Sequence, residues 1–313
     1  MKDDVALSLP NLDLIDVIGR GGMSAVWRGR QVSLDRHVAV KILSKDFAAD
    51  PDDVQRFRQE AKAAANLKHP GIVQIYDANF SDGVYYFVME LVEGYTMGDL
   101  VRRKGRLSAE DAVTIAESVA VAMDYAWSHF KMVHCDIKPD NIMVDADGTV
   151  KVTDLGLCRS MNLVKGEDRN EAEDEILGTP AYMSPEQIYG NTALDCRSDI
   201  YALGASLYHL LTGRLLFTEK SDEDVMLAHV GEKQAPDVRR FADDAGGPFA
   251  LLLEKMLAKD ARYRPQDWKQ LLADLERLRR GRQPCPVLIP PGGSSMRRDI
   301  EPKESCRISC SQL

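Results

Sequence analysis

The run Asp199–Leu211 (DIYALGASLYHLL) is apolar on nearly every side before Gly213 offers a C-cap. A helix with no polar face is stable only when other elements enclose it, so the run predicts a large helical unit built around a buried helix. Such a helix can anchor a site from below. The chain has 313 residues, 44% of them apolar, enough to supply that enclosure as one two-lobed domain or as two small ones. The first third is patterned differently. From Leu12 to Val92 short alternating runs recur at Val17-Ile18, Ala25-Val26-Trp27, Val38–Leu43, Val73–Tyr76 and Tyr85–Met89, and they predict an antiparallel sheet. One helical stretch interrupts it after Asp50-Pro51-Asp52, placing Val54, Phe57, Ala61, Ala64 and Ala65 on one face with Glu60 beside that face. Past Glu93-Gly94 the pattern turns helical. Ser108 and Asp111 fit a capping box, and Ile115, Val119, Ala122, Met123 and Ala126 form a stripe. The expected architecture is therefore α+β and bilobal, a small antiparallel sheet lobe with one helix followed by a larger helical lobe, joined near residue 93.

Charge and cysteine usage narrow the class. Forty Lys and Arg against 49 Asp and Glu give a net charge of -9, which argues against a nucleic-acid partner. The six cysteines are scattered without a CxxC pair, so neither a disulfide framework nor a zinc site is indicated, and reduced thiols in a cytoplasmic compartment are expected. No stretch approaches the length of a membrane span, and the acidic N-terminus lacks the order of a secretory signal.

Three motifs carry chemistry. Gly19-Arg-Gly21-Gly22-Met-Ser24-Ala-Val26 is rich in glycine, which by itself marks any tight turn. It leads into an alternating strand, whereas a dinucleotide or Walker loop opens a helix, so a β-hairpin lid over phosphates is the better reading. Missing side chains let backbone N–H groups approach anionic oxygens. Lys41 ends the apolar run Val38-Ala39-Val40. Read alone it is a strand-end surface lysine; buried, it needs an anionic partner, and Glu60 is placed to pair with it and aim it at nucleotide phosphates. The third cluster is His134-Cys135-Asp136-Ile-Lys138-Pro-Asp-Asn141, followed after the strand Val150–Thr153 by Asp154-Leu155-Gly156. A carboxylate to accept a hydroxyl proton, a cation for developing charge and oxygen ligands for Mg²⁺ are the set that phosphoryl transfer requires.

With these motifs in this order, residues 12 to 280 resemble the eukaryotic-like Ser/Thr protein kinases, most closely bacterial members. The resemblance implies ATP and Mg²⁺ as cofactors, protein substrates with Ser or Thr acceptors, catalytic Asp136 and Lys138, the Lys41–Glu60 pair, and Mg²⁺ ligands Asn141 and Asp154. It implies nucleotide contacts from the glycine-rich hairpin, Ile18, Gly19, Arg20, Gly21, Gly22, Met23, Ser24 and Val26. Around the adenine it implies Ala39 and Met89, backbone contacts from Glu90 and Val92, Glu93 at the ribose and Met143 as the floor. Gly178-Thr-Pro-Ala-Tyr-Met-Ser-Pro-Glu186 is similar to the family's peptide-docking segment, with Thr179 placed to contact Asp136 and Lys138. Asp199 corresponds to the buried aspartate that braces the catalytic loop, and Arg264 to the partner of Glu186.

Three departures matter. Ser24 stands for a third loop glycine and Leu155 for the usual Phe, both mild changes. Cys135 stands where the family carries an arginine that reads a phosphorylated activation loop. Between Met161 and Leu177 there is no Ser, Thr or Tyr, only an acidic run, so an enzyme without the usual phosphorylation switch is expected. The alternative is a pseudokinase, a nucleotide-binding scaffold, but its usual mark is a lost catalytic residue and Lys41, Asp136, Asn141 and Asp154 are all present. Residues 1–11 read as an extension and 281–313, with their Pro, Gly and Ser, as a flexible tail. The tail serines Ser294, Ser295, Ser305, Ser309 and Ser311 fit autophosphorylation acceptors and ordinary tail composition equally, and a homodimer stays open.

Overall fold

A computed structural model of the chain describes residues 9–20, 24–43, 65–81, 83–155, 179–191 and 193–299. They fall into two compact units, one drawn from residues 1–100 and 118–177, the other from 101–117 and 178–313. This division differs from one at residue 93, because the segment carrying the third motif joins the sheet unit. Val73 N–H donates to Val152 O at 3.0 Å and Val152 N–H to Gly71 O at 2.9 Å, tying the start of the fourth strand to residues past the motif. The predicted helix from Asp50 through Ala64, with Glu60, lies outside the described residues, as do Gly21, Gly22, Met23 and the acidic run of 161–177.

In the first unit a five-stranded antiparallel sheet has the order β1-β2-β3-β5-β4, with β1 Leu12–Arg20, β2 Ser24–Gln31, β3 Arg36–Leu43, β4 Ile75–Ser81 and β5 Val84–Met89. β4 starts two residues later than the Val73 run suggests, since Ile72 and Val73 pair with Val152 instead. The two-residue period of β3 divides its side chains between faces. Val38, Val40 and Ile42 join Leu9, Leu12, Val84, Tyr86 and Val88 in one core. Ala39 faces the other way, clustering with Val73 and Met89 and with Val26, Ile75, Leu91 and Val92 packed against them. A second sheet, β6-β7-β8, is made of Gly94–Thr96, Ile142–Asp145 and Val150–Val152.

Helices α1, Met97–Lys104, and α2, Ala109–Phe130, each contribute residues to both units. Ser108 Oγ accepts from Asp111 N–H at 3.1 Å, the N-cap that its sequence predicts, and the Ile115, Val119, Ala122, Met123 and Ala126 stripe is buried. The second unit holds α3 Pro185–Ile188, α4 Cys196–Thr212, α5 Asp222–Val230, α6 Gly246–Met256 and α7 Trp268–Arg279. As its composition requires, α4 is buried on almost every residue from Cys196 to Leu211, capped by Asp195 at one end and by Gly213 at the other. Gly213 has φ +67°, and a Cβ there would lie 2.3 Å from Gly105 O. Gly213→Ala is accordingly expected to cost about 2 kcal/mol, read as a lower urea midpoint at unchanged slope; no change would contradict this account of the cap.

The tail beginning at residue 281 is not flexible as far as residue 299. Ser294, Ser295 and Met296 are buried, and backbone bonds from Lys259 to Gly293 O, Ser295 to Leu257 O, Ala235 to Ser295 O and Arg297 to Ala235 O stitch the segment to the second unit. Its order comes from these main-chain bonds and from small buried residues, which leave no periodicity to read. Neither Ser294 nor Ser295 is offered to a kinase in this arrangement, while Ser305, Ser309 and Ser311 lie outside the described residues.

Candidate active site

The described ends of the glycine-rich motif lie on paired strands rather than at the start of a helix: β1 and β2 pair antiparallel with Gly19 opposite Val26 and Arg20 opposite Ala25. Ile18 is exposed, and on the next strand pair Val26 stands opposite Lys41. Lys41 lies on the Ala39 face of β3 by the strand period and is buried. Its anionic neighbour among the described residues is Asp154, with Nζ 2.8 Å from Oδ1 across 113 residues of sequence. Glu60, the partner the sequence suggests, is outside the described residues.

The loop from His134 to Asn141 is fixed by bonds among its own members. His134, fully buried, accepts the Asp136 N–H on Nδ1 at 3.3 Å, so Nε2 carries the proton and donates to Thr153 O at 3.0 Å. That bond holds the loop against the residue preceding Asp154. Lys138 Nζ sits 2.7 Å from Asp136 Oδ2. Asn141 donates through Nδ2 to Asp136 O at 2.8 Å and to Asp136 Oδ2 at 2.9 Å, while Thr153 N–H donates to Asn141 O at 3.0 Å. Cys135 and Asp154 both have left-handed backbones, φ 63° and 61°. Such conformations are costly for non-glycine residues and tend to gather at functional sites.

The Asp154 carboxyl is half-buried, and its desolvation raises its pKa, yet the ammonium of Lys41, assisted by Lys138, outweighs desolvation and holds it below the usual carboxylate range. It is therefore ionised at neutral pH. With both hydrogens of the Asn141 amide nitrogen directed to Asp136, the remaining polar atom of that side chain is an oxygen. One carboxylate and one amide oxygen suit Mg²⁺, which takes few protein ligands and completes its shell with water and phosphate. Among the described residues there is no cluster of three or more His, Cys, Asp or Glu fit to hold a metal by itself.

The residues read as an adenine pocket gather in the first unit. Val26, Ala39, Met89 and Val92 share one apolar cluster, and Met143 lies on β7 opposite Thr96. Glu90 N–H donates to Gln74 O at 2.9 Å, so a backbone contact from Glu90 to a ligand falls to its carbonyl. Its carboxylate is held by Lys151, 2.9 Å away, and Lys151 also donates to Pro70 O at 2.9 Å. Lys151 thus braces the segment after β5, a role the sequence did not reveal because it reads only as a strand residue. Glu93 is exposed.

In the second unit Glu186 receives Arg264 at 2.6 and 2.9 Å and Ser198 Oγ at 2.6 Å. Thr179 O accepts from Tyr182 N–H at 3.0 Å, forming the turn Pro180–Tyr182. Asp199 is fully buried in the first turn of α4.

Comparison with known proteins agrees with this arrangement. The protein kinase domain model matches residues 12–274. The serine/threonine-protein kinase PrkC of Bacillus subtilis is 38% identical over 263 residues, 84% of this chain and 40% of that protein. The serine/threonine-protein kinase PknB of Mycolicibacterium smegmatis is 39% identical over 276 residues, 87% of this chain and 43% of that protein. The chain thus spans about two fifths of the length of these curated relatives. In fold it is similar to the crystal structure of the Mycobacterium tuberculosis PknI kinase domain, with TM-score 0.69, 23% identity and coverage of 87% of this chain and 97% of that one. Among the described residues no helix is long and apolar enough to cross a membrane. The α+β architecture, the hairpin and the linked Lys41, Asp136, Asn141 and Asp154 therefore have one common account: this chain belongs to the protein kinase domain family.

Proposed function

We propose that this chain transfers the γ-phosphoryl group of ATP to serine or threonine hydroxyls of protein substrates, with Mg²⁺. The observation that carries the reading is the convergence in one unit of Lys41 on Asp154 and of Lys138 and Asn141 on Asp136. In this reading Asp136 orients the acceptor hydroxyl and takes its proton as the oxygen attacks. Lys138, beside Asp136, offsets the negative charge that develops on the transferring group. Asn141 and Asp154 would hold Mg²⁺, which would supply positive charge against the phosphates. Lys41 orients the phosphates. The glycine-rich hairpin covers them, and Val26, Ala39, Met89, Val92 and Met143 enclose the adenine. Residues 179–186 dock the peptide, and Lys138, two residues after Asp136, favours Ser and Thr over Tyr.

Incubating the chain with γ-labelled ATP and casein is expected to place label on Ser or Thr only when Mg²⁺ is present. Label on tyrosine alone, or none above a magnesium-free control, would overturn the reading.

A second element is the missing phosphorylation switch, supported by Cys135 beside Asp136 and by the lack of Ser, Thr and Tyr between Met161 and Leu177. Exhaustive phosphatase treatment is expected to leave the transfer rate within about twofold of its starting value, where a switch-dependent enzyme would lose about 10³-fold or more. A cytoplasmic setting for this domain is supported by the ATP chemistry proposed for it and by the thiols of Cys196 and Cys285, which stand outside any disulfide.

A further inference from the structure

Beneath the turn Pro180–Tyr182 the second unit holds a buried chain of polar groups that the transfer reaction does not use. Tyr201 on α4 and His229 on α5 are fully buried, as is Ser295 of the C-terminal segment. The Tyr201 hydroxyl lies 2.7 Å from His229 Nδ1 and 2.7 Å from Ser295 Oγ. The His229 ring stands edge-on to Phe217, with centroids 4.9 Å apart, and close to Tyr201 at 5.7 Å. Its other nitrogen, Nε2, is buried with no hydrogen-bond partner, and the backbone of Ala181 lies close enough to the imidazole to favour its protonation slightly. Burial pushes the imidazole down to about 4, so the ring is neutral at working pH.

A neutral ring carries one proton, and the bond between Nδ1 and Tyr201 forms in either tautomer. With the proton on Nε2, Tyr201 donates to Nδ1 and accepts from Ser295; with the proton on Nδ1, Tyr201 accepts from the ring and donates to Ser295. Either sense joins Ser295, Tyr201 and His229 in one run of bonds, and α4 and α5, which carry Tyr201 and His229, both pack against the turn 180–182. Ser295 is itself immobilised, because its N–H donates to Leu257 O at 2.9 Å and its carbonyl accepts from Ala235 N–H at 2.7 Å. Lys259 adds a second tie: its N–H donates to Gly293 O, while Nζ caps the end of α5 at Ala228 O and His229 O, each at 3.1 Å. We infer that Ser295, Tyr201 and His229 are positioning residues that carry the packing of the C-terminal segment 285–299 to the turn 180–182, and so set the use of the protein substrate independently of ATP. This rests on reading residues 179–186 as the peptide-docking segment.

The test uses the full chain with Tyr201→Phe, Ser295→Ala and the two combined, by amide hydrogen exchange at residues 179–183 and by steady-state kinetics with casein. Loss of one buried hydrogen bond is expected to speed exchange there about tenfold and raise the KM for casein about fivefold. The KM for ATP should stay within about twofold. The double variant should be no worse than Tyr201→Phe, since both changes break one chain of bonds. Unchanged exchange at 179–183 would overturn the inference, as would additive effects. So would an equal effect from Ser294→Ala, whose hydroxyl bonds Glu254 O instead, because general loosening of the segment would then suffice. If the unsubstituted chain transfers no phosphate to casein, the kinase reading fails, and the exchange measurement still decides whether the three residues order the turn.

Discussion

Asp136→Asn is expected to lower phosphoryl transfer about 10³-fold while leaving nucleotide affinity within about twofold. An asparagine side chain matches the shape of the carboxylate and still offers an oxygen to Lys138 and Asn141, which hold Asp136 Oδ2 at 2.7 and 2.9 Å. What it loses is the negative charge that orients an acceptor hydroxyl and takes its proton. Lys41 and Asp154 are bonded to each other, so the groups assigned to phosphate and metal remain in place. A loss confined to kcat is the signature of a group acting in the transition state. Loss of nucleotide binding in the same variant would instead mean that Asp136 organises the pocket.

The second large effect is on stability. Arg264, with its side chain fully buried, uses all five of its N–H groups: Nε bonds Ala258 O, Nη1 bonds Glu186 Oε1 and Arg197 O, and Nη2 bonds Glu186 Oε2 and Lys259 O. Its plane also stacks on the Tyr201 ring, 4.8 Å from the centroid. Glu186 supplies the only side-chain anion in that set. Glu186→Ala leaves a desolvated guanidinium without counter-charge and is expected to cost about 3 kcal/mol or more, read from urea unfolding. A cost below about 1 kcal/mol would show that the pair is not a structural support.

The same pair predicts acid sensitivity. Burial raises the Glu186 pKa, but hydrogen bonds and charge from Arg264, with Ser198, outweigh burial and hold it below its usual value of 4.5. A depressed folded-state pKa adds stability that is fully present above the unfolded value and fades as pH falls through the folded one. The unsubstituted chain should therefore lose stability below about pH 4.5, and Glu186→Ala should flatten that part of the curve.

Much of the site was legible because its parts are close in sequence. Asp136, Lys138 and Asn141 lie within six residues, and local chain geometry alone brings Lys138 and Asn141 to Asp136. The hairpin was legible because a strand-period pattern followed the glycines, and α4 because no other environment suits its composition. Pairings across distant segments were not. Nothing near Lys41 marks Asp154 as its neighbour, and nothing near Lys151 marks Glu90, because those contacts depend on how strands from different parts of the chain align. Residues 281–299 misled for a related reason. Pro, Gly and Ser read as a flexible tail, whereas the order here is set by main-chain bonds to residues 235, 257 and 259.

The most direct test of catalysis against scaffolding measures two quantities on one preparation: Mg²⁺-dependent ATP binding by calorimetry and single-turnover transfer of γ-phosphate to casein. Both are run on the unsubstituted chain and on Asp136→Asn. The account predicts similar ATP binding by both proteins, transfer to Ser or Thr by the unsubstituted chain, and transfer about 10³-fold slower by the variant. Equal ATP binding with no transfer by either protein would contradict it and identify the fold as a nucleotide-binding scaffold.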